Sequence, residues 1–291
     1  EWEVATDDEA RTQLLCDKQV VCAEAAPEVL ADPIAEAGAT VDYVPGMNVP
    51  FLLFNCEKPP FDDARVRQAL LYALDTDTLI GRVMAGHARP ATSLLPDYFR
   101  GYHRASTVYS YDPERARALL AEAGALTAAE DGEPALSLTL RVNDNWVRAL
   151  AESIVADWKA VGVTAEVVFL DQTALFADIS TAPKKGSVLP FDVVLCPGDP
   201  SRFGNDPDLL MTWWYGDNIW TEGRSCWKGT PEWTQLQELL QQAREEADAA
   251  KQQDLWNQCF DIIADNIPIY PLFHRETSTG FAAEKLEDFA P

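Results

Sequence analysis

Apolar and polar positions along the 291-residue chain switch between two periods, and each switch marks an element. Residues 51–54 are all apolar, too short a run for a helix and suited to a buried strand. Pro59 and Pro60 forbid a ladder or helix from continuing, so the chain turns there. Asp62 or Asp63 is placed to cap the next helix, on which Val66, Ala69, Leu70 and Ala73 form one apolar stripe while Arg65 and Gln68 stay in water. Asp75 opens a second short helix that closes near Gly86.

The same reading extends in both directions. Residues 7–37 are rich in Ala, Leu and Glu at helical spacing, and residues 40–44 form a short strand. Residues 87–108 hold Pro90, Pro96, Gly101 and scattered aromatics without a period, which predicts a long surface excursion packed by its own side chains. Asp112 and Pro113 start a helix that Gly124 stops. Residues 135–142 alternate as a strand, 144–161 place Trp146, Leu150, Ile154 and Trp158 on one helical stripe, and 163–170 form another strand. This strand, helix, strand order predicts a parallel pair with a right-handed crossover. A helix over 172–179 leads through a loop at Lys184, Lys185 and Gly186 to a third buried strand over 191–195. Two long helices over 231–249 and 251–265 follow, and the apolar run 267–273 adds one or two strands. The alternation predicts an α/β fold.

Composition narrows the function. With 47% hydrophobic residues the chain can pack a sizeable core. Its formal charge of −24 repels phosphate backbones and anionic membranes, so nucleic acid is not an expected partner. No run reaches the roughly 18 to 20 apolar residues that a membrane span needs. Six cysteines suit disulfides in an oxidising compartment, with Cys16 to Cys22 and Cys226 to Cys259 the favoured pairs; the alternative is that several are small buried hydrophobes.

Two phrases carry a family resemblance: FLLFNCEKPPFDDARVRQALLYALD, residues 51–75, and YDPERARALLAEAG, residues 111–124. They resemble segments of the peptide-binding family, family 5, of extracytoplasmic solute-binding proteins, which feed ABC importers of oligopeptides, dipeptides and nickel. The resemblance begins within the first fifty residues and covers nearly all the rest. It implies an α/β lobe like the type II periplasmic-binding proteins, a mixed sheet flanked by helices. Residues 1–50 are then a lead-in and hinge, 51–273 the carboxy-terminal ligand-binding lobe, and 274–291 a return hinge strand and tail. It further implies an amino-terminal lobe and an export signal, with or without a lipid-modified cysteine, outside this sequence. The implied partners are a short peptide and the membrane subunits of an ABC permease, and the implied location is extracytoplasmic.

Candidate chemistry concentrates in residues 196–217, which follow a predicted buried strand and so emerge at the carboxyl edge of the sheet, where open α/β folds bind ligands. Asp199 lies there among Phe203, Trp213, Trp214 and Tyr215. The resemblance implies that Asp199 takes a peptide's α-amino group; the alternative, favoured for Asp206 and Asp208, is a turn or cap. Counting back from Ala156, Asp157 and Trp158 puts Arg141 where dipeptide-binding relatives hold the ligand's carboxyl terminus, work that suits a guanidinium fork. The alternative is an ordinary ion pair. Many relatives have Gly-Trp before the aspartate loop, whereas this chain has Leu195, Cys196, Pro197 and Gly198, so stacking falls to Trp213 or Trp214. Asn143, Asn145 and Asn205 are further polar candidates, and Trp146 and Trp158 are read as core.

His87, His103 and His274 are far apart in sequence, and no HExxH, GxSxG, CxxC or phosphate-loop spacing occurs. Asp75, Thr76 and Asp77 match a calcium loop at two ligands only and read as a helix cap. The expectation is a non-catalytic solute receptor without metal or cofactor. A receptor for a nickel chelate or sugar, or an acidic secreted hydrolase with paired carboxylates, stands as the alternative.

Overall fold

The structure, a computed structural model, describes residues 4–5, 7–26, 30–126, 136–180, 189–203 and 206–285. The expected loop at Lys184, Lys185 and Gly186 and the candidate Asn205 lie outside these residues. The described strands are β1 (Cys22–Glu24), β2 (Thr40–Pro45), β3 (Val49–Phe54), β4 (Ala88–Pro90), β5 (Leu136–Asn143), β6 (Val163–Leu170), β7 (Val193–Gly198), β8 (Ile269–Pro271) and β9 (Phe273–Phe281). They form two sheets. The larger runs β6-β5-β7-β3-β8, and in the smaller β9 pairs with β1, β2 and β4.

In the larger sheet β5 runs parallel to β6 and to β7, whereas β3 is antiparallel to both β7 and β8, so the sheet is mixed. All six residues of β3 are buried, as a central strand covered on both faces requires. After the Pro59-Pro60 turn, Asp63 rather than Asp62 caps the helix Ala64–Tyr72, its carboxylate accepting from the Arg65 amide at 2.8 Å. Val66, Ala69 and Leu70 face the core as expected, but so does Arg67, 2% exposed. Arg67 donates to the carbonyls of Phe61 at 2.6 Å and Asn266 at 2.8 Å, which satisfies the guanidinium where water cannot reach. Asp75 caps the helix Thr76–Val83 through the Thr78 amide at 3.0 Å, the capping role expected of it.

Several expectations are corrected. Residues 7–37 do not form one helical stretch: helices Asp8–Cys16 and Ala31–Glu36 flank β1, and Lys18 and Ala25, at φ 60° and 52°, break the helical path. The excursion 87–108 contains β4, which pairs with β9. The helix expected from residue 144 begins later, as Arg148–Ala160, because Asp144 donates its amide to Leu170 and the Asn145 side chain accepts from the Val147 amide. Trp146 therefore leaves the helical stripe and is only half-buried, while Trp158 stays in the core. The apolar run 267–273 supplies β8 and opens β9, which extends to Phe281.

The cysteine pairs are also corrected, since all six thiols are free. Cys22 sits on the solvent side of β1, where alternation turns it outward, and the Cys16 thiol points to the Pro33 carbonyl at 3.8 Å. Cys259 is wholly buried on the helix Ala249–Asn266, and Cys56 and Cys196 are buried too, the small-hydrophobe alternative.

Candidate ligand site at the carboxyl edge of the sheet

The parallel strands β5, β6 and β7 end side by side, and the antiparallel β3 begins beside them, Val49 opposite Gly198. A cavity of about 400 Å³ opens at this edge. Its floor comes from strand ends: Asn143 of β5, Phe51 of β3, and Cys196, Pro197 and Gly198 of β7, with Asp199 and Arg202 next along the chain. Asn48 and Arg275 close one side. Aromatic walls come from Trp146, Phe176, Trp213, Trp214 and Trp220.

The walls are braced by ring packing. Phe51 tilts against Trp214 at 5.5 Å and meets Trp220 edge-on at 6.2 Å between centroids. Gly198 makes this approach possible, because a Cβ there would stand 3.0 Å from the Trp214 ring and 3.2 Å from Phe51. Arg224 lies over both Trp220, at 4.1 Å, and Phe176, at 4.5 Å, and donates to Ser180 at 3.0 Å. Burial pulls the Arg224 pKa down, an effect that the neighbouring Cys196 partly opposes.

The candidates named from sequence divide. Asp199, Trp213, Trp214 and Asn143 line this one cavity. The Asp199 side chain is 43% exposed; it accepts from the amide and hydroxyl of Ser201 and lies 3.9 Å from Arg202. It thus shapes the turn into the short helix Pro200–Phe203 while still facing the cavity. Trp214 is 4% exposed and serves as wall, whereas Trp213, 51% exposed, stands at the mouth. Phe203 ends the same short helix, and its side chain lies outside the described residues. Asp206 caps the helix Pro207–Tyr215 as expected, whereas Asp208, expected in a turn or cap, lies in the first turn of that helix and pairs with Arg244 at 3.0 Å.

Arg141 is not among the lining residues. It stands two residues short of the end of β5, roughly 7 Å from the edge at the usual strand rise. Its Nε is paired with Asp178 on the helix Gln172–Ser180. Sequence reasoning missed Arg275 and Asn48, which reach the site from other parts of the fold, and Trp146, which was assigned to the core. Gln172, Phe176 and Trp220 carried no local signal of their own. Among the described residues no cluster of three His, Cys, Asp or Glu side chains could hold a metal ion.

Known proteins extend these observations. Residues 1–234 match the family described as bacterial extracellular solute-binding proteins, family 5 Middle. The dipeptide-binding protein of Escherichia coli (strain K12) is 31% identical over 233 residues, covering 79% of this chain and 41% of the relative. Heme-binding protein A of Haemophilus influenzae is 32% identical over 238 residues, covering 81% and 40%. The chain thus spans about two fifths of the length of these relatives. Among solved structures, the ABC transporter substrate-binding protein CtaP of Listeria monocytogenes superposes with a TM-score of 0.81 at 20% identity, covering 97% of this chain and 54% of that one. That likeness is of fold, the type II periplasmic-binding-protein architecture expected of a mixed sheet with helices on its faces. With four fifths of its length matched by one family and its strand ends gathered around an aromatic cavity, the chain belongs to the family 5 bacterial extracellular solute-binding proteins.

Proposed function

We propose that this chain is the carboxy-terminal lobe of an extracytoplasmic receptor that captures short peptides between two lobes and delivers them to the membrane subunits of an ABC importer. The observation that carries the reading is Asp199, half-exposed beside an aromatic cavity at the carboxyl edge of the sheet. A carboxylate so placed suits the α-amino group of a peptide, through a charge-assisted hydrogen bond. The aromatic walls suit its apolar side chains. Closure by the second lobe would exclude water from both faces of the ligand and strengthen that interaction, so lobe closure is the transport signal. By itself this chain is expected to bind peptide weakly.

Asp199→Ala in the full-length receptor tests the reading by calorimetry with a short peptide. Loss of a charge-assisted bond of about 1.5–3 kcal/mol gives roughly 10- to 150-fold weaker binding. Unchanged affinity would remove Asp199 as the amine site. One observation favours a second reading, a flat aromatic ligand such as haem: four tryptophans, Trp146, Trp213, Trp214 and Trp220, line the cavity, and one relative is named for haem. An absorbance titration with haem separates the two. For a hydrolase with paired carboxylates there is no such support, because Asp199 is the single carboxylate among the described lining residues.

A further inference from the structure

We propose that Cys56 and Cys226 are a redox pair, two thiols placed to close a disulfide that ties the end of β3 to the turn bracing the aromatic wall of the cavity. Sequence set Cys226 against Cys259, whereas the fold brings it beside Cys56. The Cys56 amide donates to the Ser225 carbonyl at 2.8 Å, so the two cysteines flank one backbone hydrogen bond. Such a bond sets their Cα atoms roughly 5–6 Å apart, within the span of about 4.4–6.8 Å that a disulfide bridges. Ser225 is 0% exposed, and its amide and hydroxyl both donate to the Trp220 carbonyl, at 2.8 and 2.9 Å, which fixes the turn in this place.

Two further observations concern the side chains themselves. Cys226 stands at φ 53°, a left-handed conformation that glycine takes freely and that a residue with a side chain holds only where its surroundings impose it. The two thiols also feel each other: burial, and then the charges of Glu57 and Cys56, push the Cys226 thiol up to about 12. Each sulfur points back along its own chain, Cys56 to the Phe54 carbonyl at 3.7 Å and Cys226 to the Arg224 carbonyl at 3.8 Å. Thiols are weak donors, and rotation about each Cα–Cβ bond exchanges these contacts for the S–S bond.

The oxidant is itself a disulfide, the kind of reagent that an extracytoplasmic location supplies. Cys226, half-buried where Cys56 is buried, loses its proton to water and attacks one sulfur of the oxidant, and one thiol leaves. Cys56 then loses its proton and attacks the Cys226 sulfur of the mixed disulfide, and the second thiol leaves. Two S–H bonds break, one S–S bond forms, and the two electrons pass to the oxidant, which becomes two thiols. Phe51 of β3 lies on the floor of the cavity, and Arg224, two residues before Cys226, lies over Trp220 and Phe176, so the new bond holds floor and brace together.

The test oxidises the reduced full-length receptor with glutathione disulfide, alkylates the remaining thiols, and maps the protein by mass spectrometry of a digest made without reduction. Because the oxidant is added, the result does not depend on where the protein resides. The expected product is a peptide pair joined through Cys56 and Cys226, two hydrogen atoms lighter than its separate parts. Oxidation should raise the thermal midpoint by roughly 3–6 °C, since the bond closes a loop of about 170 residues in the unfolded chain, and Cys226→Ser should lose that shift. Recovery of Cys56 and Cys226 in alkylated form, or joined to glutathione or to other cysteines, overturns the pair, and this outcome needs no variant to fold. A crosslinked wild type whose midpoint does not move, or a shift that survives in Cys226→Ser, overturns the bracing role.

Discussion

Trp158→Ala should destabilise the chain by about 3–5 kcal/mol, the usual cost of removing a large aromatic side chain from a packed core. Trp158 is 0% exposed, on the helix Arg148–Ala160, and its indole nitrogen donates to the Leu70 carbonyl at 2.9 Å. It therefore ties the crossover helix between β5 and β6 to the helix that follows the Pro59-Pro60 turn. Replacement by alanine leaves a cavity and an unsatisfied buried carbonyl together. Trp158→Phe keeps much of the volume and forfeits the hydrogen bond, so it should cost about 1–3 kcal/mol. Urea unfolding of the two variants beside the wild type checks both values. A loss under about 1 kcal/mol for alanine would mean that this helix does not pack as described.

The second large effect is a loss of stability on acidification that traces to one buried imidazole. His274 is 3% exposed on β9, and burial pushes its pKa down to about 4, opposed in part by the Ser93 carbonyl 3.4 Å away and by the charge of Asp97. An unfolded histidine takes up a proton near pH 6.5. Between pH 6.5 and about 4 the unfolded chain therefore binds a proton that the folded chain refuses, and stability falls as pH falls through that window. The full effect is on the order of 3 kcal/mol, complete near pH 4 and absent above pH 7. Carboxylates also titrate at the lower end, so the informative quantity is a difference. His274→Gln should lose less stability between pH 7 and pH 4.5 than the wild type. An identical pH response in the two proteins would show that His274 is protonated in the folded state.

Local patterns in the sequence carried the frame of the larger sheet. The apolar run 51–54, the prolines and the capping aspartates name β3 and the two helices after it, because each signal is complete within a few residues. The parallel pair β5 and β6 follows from strand, helix, strand order alone. The smaller sheet was less legible. β1 and β4 have three residues each, too few to show a period, and both exist because β9 offers them a pairing edge. Their formation is a tertiary event.

The candidate site divides on the same principle. Asp199 could be placed because the loop after a buried strand must leave the sheet at its carboxyl edge. Arg141, expected at the end of its strand, stands two residues short of the end of β5. Its partner Asp178 lies 37 residues away on another helix, and nothing near Arg141 in sequence announces the pair. Trp146 fits a helical stripe by spacing, but the Asp144 and Asn145 turn delays the helix and brings the indole to the cavity wall under Arg275. Arg275 reaches the site from β9, near the far end of the chain, and no motif marks it.

The central claim is that the cavity at the ends of β5, β6 and β7 is one face of a peptide site. A crystal structure of the full-length receptor with bound Ala-Phe tests it most directly. The expected result is the peptide in this cavity with its α-amino nitrogen about 3 Å from an Asp199 carboxylate oxygen. Peptide bound elsewhere, or bound in the cavity without contact to Asp199, would contradict it.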